Sequence, residues 1–112
     1  MLKIYPKEYN VDEATELLAA MANPKRLQIL SLLVRQEVPV GQLAKEVGLS
    51  QSALSQHLSK LRQAHLVETR REAQNIYYSS RSMEVSRILD VVNGLNKRDE
   101  QFGVSGRSTG RM

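Results

Sequence analysis

Between residues 40 and 64 the chain reads VGQLAKEV, then GLS, then QSALSQHLSKLRQA. No other passage restricts the fold as much. Val40, Leu43, Ala44 and Val47 recur at helical spacing, so a short helix buries one side. Gly48 stops it, because glycine enters the left-handed region at little cost. Ser50 is a good N-cap for a second helix over residues 51–64. Leu54, Leu58 and Leu61 form its apolar row, at i, i+4 and i+7. Away from that row lie Gln51, Ser52, Ser55, Gln56, Ser59 and Lys60. Two helices joined by so short a turn are a helix-turn-helix.

The flanking segments extend this unit. Residues 11–22 have helical spacing at Leu17, Leu18 and Met21, with acids in the first turn where the helix dipole favours them. Asn23-Pro24 breaks the chain and restarts it, as N-cap and first helical residue. The next helix covers residues 24–34. Its stripe of Leu27, Leu30 and Val34, widened by Ile29 and Leu33, predicts deep burial. Residues 37–39 read as a connector. After residue 64 the period changes. Residues 66–71 and 74–79 read as two strands around Glu72-Ala73, with one ring of Tyr77-Tyr78 facing in and one out. Ser82 can cap a last helix over residues 83–97, apolar at Val85, Ile88, Leu89, Val92 and Leu95. The predicted fold is mainly α with a small β-hairpin, a winged helix-turn-helix. Residues 1–10 form an arm, 11–98 the domain, and 99–112 a Gly-, Ser- and Arg-rich mobile tail.

Charge is unevenly placed. Residues 1–20 carry Lys3 and Lys7 against Glu8, Asp12, Glu13 and Glu16, a sum of −2. Residues 50–81 carry Lys60, Arg62, Arg70, Arg71 and Arg81 against Glu68 and Glu72, a sum of +3. The middle is the candidate face for a polyanion. A Ser/Gln face also suits any solvated amphipathic helix. The hairpin, the Gly-Leu-Ser turn and the local charge tip the balance toward DNA. Short side chains near the start of helix 51–64 let it enter a major groove closely, and Gln can pair with adenine through two hydrogen bonds. Arg70, Arg71 and Gln74 stand on the wing, within reach of phosphates or the minor groove. His57, beside the polar face, reads either as structural or as a phosphate or base contact.

The strings AMANPKRLQILSLL, VGQLAKEVGLSQSALSQHLSKLR and LVETRREAQNIYYS resemble the ArsR/SmtB family of bacterial winged-helix repressors. The likeness covers about residues 12–96. It implies a homodimer built from the first and last helices, bound to an inverted-repeat operator. It also places the helix-turn-helix on residues 40–64 and the wing on 66–79. The apolar residues agree with a dimer: Leu17, Leu18 and Met21, with Ile88, Val92 and Leu95, exceed what a thin single-chain core needs.

Many members of that family sense metals, and the residues for this are missing. The chain has no cysteine, which excludes thiolate ligands, disulfides and thiol redox sensing. Leu43-Ala44-Lys45-Glu46 stands where the third-helix site has cysteines. The last helix offers Asp90 and Glu84 but no histidine. His57 and His65, eight residues apart, stand roughly 12 Å apart along a helix, too far for one ion. No metal or other cofactor is expected.

No apolar run approaches the roughly 18 residues of a membrane span. The opening MLKIYP lacks the apolar core of a signal peptide. The chain reads as cytoplasmic. An enzyme is not expected either. Ser52, Ser55 and Ser59 beside His57 lie on a convex helix with no pocket or oxyanion hole. The leading expectation is a sequence-specific DNA-binding regulator, a repressor acting on double-stranded operator DNA. The alternative is a winged-helix module that binds protein.

Overall fold

The computed structural model describes residues 10–101, with side chains as far as residue 94. Helices α1 (Val11–Met21) and α2 (Pro24–Leu33) are followed by strand β1 (Val38–Pro39). Helices α3 (Val40–Val47) and α4 (Gln51–Gln63) come next, then strands β2 (Glu68–Glu72) and β3 (Asn75–Ser79), then α5 (Met83–Gln101).

Four of the five helices start where a side chain satisfies an orphan N–H group, and α3 follows Pro39 without a side-chain cap. Asn10 Oδ1 accepts from Glu13 N at 3.0 Å, and Asn23 Oδ1 accepts from Lys25 N and Arg26 N at 2.9 and 3.1 Å. Ser50 Oγ accepts from Ala53 N, and Ser82 Oγ from Val85 N. Gly48 ends α3 with φ at 68°, and the N–H groups of Gly48 and Leu49 return to Lys45 and Ala44. Helix α4 closes in the same way without a glycine. His65 takes φ 61°, while His65 N and Leu66 N donate to Arg62 O and Leu61 O.

Three expectations are corrected. Residues 37–39 are more than a connector, because Val38-Pro39 pairs antiparallel with Tyr78-Tyr77 and completes a sheet of order β1-β3-β2. Two residues are too few to show a period, and their partner lies some 40 residues on. The hairpin turn is Ala73-Gln74, one residue later than expected. Ala73 takes the left-handed φ, 57°, that glycine would mark. Helix α5 continues to Gln101, past Lys97 and into the segment read as tail, because the first glycine beyond Gly94 is Gly103. The remainder of the tail, and residues 1–9 of the arm, lie outside the described residues.

The core gathers Ile29, Leu30 and Leu33 of α2, Leu43, Ala44 and Val47 of α3, and Leu54, Leu58 and Leu61 of α4. Met21, Val38, Leu66, Val67, Tyr78, Val85 and Leu89 close it. Helices α2 and α3 thus back α4 and turn its polar side outward. At the wing's base, Ser80 N donates to Leu33 O and Ser80 Oγ to Leu66 O. These bonds fix where the hairpin leaves the body.

Candidate nucleic-acid interface

Leu54, Leu58 and Leu61 are at most 2% exposed, so the orientation of α4 is settled by burial. Gln51, Ser52, Ser55, Gln56, Ser59 and Lys60 are all exposed on the side away from that row. This is one contiguous polar strip of short side chains bounded by a lysine. His57 is half-buried on its flank. Its Nδ1 lies 3.2 Å from Arg26 Nη1 of α2. Burial, followed by the charges of Arg26, Lys60 and Lys25, holds the imidazole pKa below its ordinary value.

The hairpin carries the other candidates. Arg70, Arg71 and Gln74 are exposed, but the two arginines differ. Arg70 Nε and Nη2 donate to Glu37 Oε2 and Oε1, both at 2.9 Å, and Nη1 donates to Glu72 Oε1 at 2.9 Å. Its guanidinium also lies 4.6 Å from the centre of the Tyr77 ring. The Arg70 contact is what holds the Glu37 carboxyl below the usual carboxylate range. Arg71 stands opposite Ile76 and has no ionic partner among the described residues. Tyr78 is buried and Tyr77 half-buried, one ring in and one out as expected. Tyr78 Oη accepts from Arg62 Nη1 at 3.3 Å, which ties the end of α4 to the wing.

Sequence reasoning misses Lys25 and Arg26, although a signal exists. Two cations in the first turn of α2 oppose the helix dipole, and both side chains instead reach carbonyls of neighbouring helices. No cluster of three or more His, Cys, Asp or Glu side chains able to hold a metal occurs among the described residues. No described helix is long and apolar enough to cross a membrane.

Residues 23–69, from the cap of α2 to the start of the wing, match the family model described as "Bacterial regulatory protein, arsR family". Nodulation protein NolR of Rhizobium meliloti is 58% identical over 89 residues, which cover 80% of this chain and 73% of that protein. The chain belongs to the ArsR family. Another relative, transcriptional activator HlyU of Vibrio cholerae, is 46% identical over 84% of this chain and 87% of its own. The crystal structure of NolR from Sinorhizobium fredii superposes with a TM-score of 0.76 at 55% identity, covering 85% of this chain and 96% of that one. As an ArsR-family winged helix, the protein is a DNA-binding transcription regulator and not an enzyme.

Proposed function

We propose that α4 is the recognition helix and β2-β3 the wing of a homodimer that binds an inverted-repeat operator and represses transcription. The observation that carries this reading is the two-sided character of α4, with three leucines sealed in the core and a strip of Ser, Gln and Lys facing out. Gln51, Ser52, Ser55 and Gln56 would meet base edges. Lys60, Arg71 and Gln74 would hold phosphates and set register. His57 would join them from the flank. Arg70 would shape the wing, since its charge is already met by Glu37 and Glu72.

The dimer is supported by apolar surface left open on the outer helices. Leu18 is 53% exposed on α1 and Val92 38% exposed on α5, with Val11, Met83 and Val91 also exposed. Leu17 and Ile88 are half-buried beside them. Val92 lines a groove with Leu27, Leu32 and Leu89 that a second copy would cover. Met21, at 3% exposure, belongs to the chain's own core and would add little to that seam. Leu95 lies on the same helix, and its side chain is outside the described residues.

The reading is tested by titrating duplex DNA at several salt concentrations. Affinity should fall steeply with salt as phosphate contacts release counterions. Binding that ignores salt, or fails for all duplexes, would favour the protein-binding alternative. A reporter behind the operator separates repression from activation, the role in the name of the Vibrio relative.

A further inference from the structure

The cations of the first turn of α2 are each held by a carbonyl at a helix end. Lys25 Nζ donates to Val47 O at 2.6 Å, and Arg26 Nε donates to Ala20 O at 2.6 Å. Arg26 is thereby aimed, and its Nη1 meets His57 Nδ1 at 3.2 Å. A guanidinium has donors only. His57 Nδ1 must then be the lone-pair nitrogen, and the neutral ring carries its proton on Nε2. Burial and the surrounding cations favour this neutral state. The charged groups facing the ring are Arg26 and Lys25 from α2 and Lys60 from α4 itself. From α1, the Ala20 carbonyl holds Arg26 in place. Nε2 has no protein partner among the described residues. A donor of fixed direction, set among positive charges at the flank of the exposed strip, suits an anionic oxygen.

We propose that Arg26, His57 and Lys60 form a phosphodiester clamp at the junction of α2 and α4, in which Arg26 is a positioning residue that fixes His57 as an Nε2–H donor to a backbone phosphate. Lys60 lies one turn from His57 on the same helix and supplies the charge. The clamp rests on the DNA-binding reading above and deepens it. It grips backbone rather than base, so it sets the register of α4 without regard to sequence.

The test uses sheared mixed-sequence duplex DNA at low salt with the wild type, His57→Gln and His57→Asn. Gln carries an N–H near the position of imidazole Nε2, whereas Asn is too short to reach it. His57→Gln should bind within about twofold of the wild type, and His57→Asn about tenfold more weakly. Nitrogen NMR of the wild type supplies an independent readout. His57 should show the Nε2–H tautomer and titrate below an ordinary histidine, and in Arg26→Met its titration should move up. Equal binding by His57→Asn and the wild type would overturn the clamp, as would an Nδ1–H tautomer in the wild type. Those results would leave the DNA-binding reading intact. Failure of the wild type to bind any duplex would remove both.

Discussion

Arg70 and Arg71 are neighbours in one strand with the same formal charge, yet their surroundings assign them different work. Arg70 meets Glu37 with a two-pronged contact and shares Glu72, while its guanidinium lies over Tyr77. Arg71, opposite Ile76, has no ionic partner among the described residues. Arg71→Ala should therefore weaken binding to any duplex and flatten the salt slope by about one unit for each phosphate that Arg71 neutralises. Arg70→Ala should leave that slope nearly unchanged. The same salt titration reads both variants, and equal slopes for the two would contradict the assignment. Locally, strand alternation puts Arg70 on the face of Glu72 and Arg71 on the other. The two-pronged partner is not local: Glu37 lies 33 residues earlier, brought near by the pairing of β1 with β3. For the same reason His57 stands out in the sequence only as an isolated histidine, and Arg26 only as a cation in the first turn of a helix. A contact across 31 residues leaves no periodic trace.

Elements are legible where local chemistry decides them. Asn23, Ser50 and Ser82 cap helices as their side chains suggest, and Gly48 turns the chain between α3 and α4. The leucine row of α4 is buried as its spacing requires. Legibility ends where the chain uses an unfavourable residue. Ala73 at the hairpin and His65 after α4 both take left-handed φ values, 57° and 61°, where a side chain is disfavoured. With no glycine to mark it, the hairpin turn reads one residue too early. The exposed site at Ala73 offers a clean prediction. Ala73→Gly should relieve the left-handed conformation and raise stability by about 1 kcal/mol, after allowing for glycine's greater freedom in the unfolded chain. A thermal or denaturant melt checks this. A lower midpoint would mean that the turn does not hold Ala73 in that conformation.

Among the described residues two surfaces stand open: the polar strip of α4 with the wing, and the apolar outer sides of α1 and α5. If a second copy covers the apolar side, a charge placed there must be desolvated without a partner. Leu18→Glu should then turn a dimer into a monomer by light scattering while the single-chain fold persists, since Leu18 is already 53% exposed. A wild type that is monomeric at micromolar concentration would contradict the dimer. A two-fold dimer also presents two copies of α4 to DNA, so each substitution there acts in both half-sites. A recognition role for α4 requires that its exposed strip reads bases. The most direct measurement takes the DNA site enriched from genomic fragments by the wild type and compares its affinity with that of a scrambled duplex, for the wild type and Gln56→Ala. The loss on the enriched site should be about 1–3 kcal/mol per half-site, with little change on the scrambled duplex. Equal loss on both duplexes, or an intact preference for the enriched site, would contradict base reading by α4.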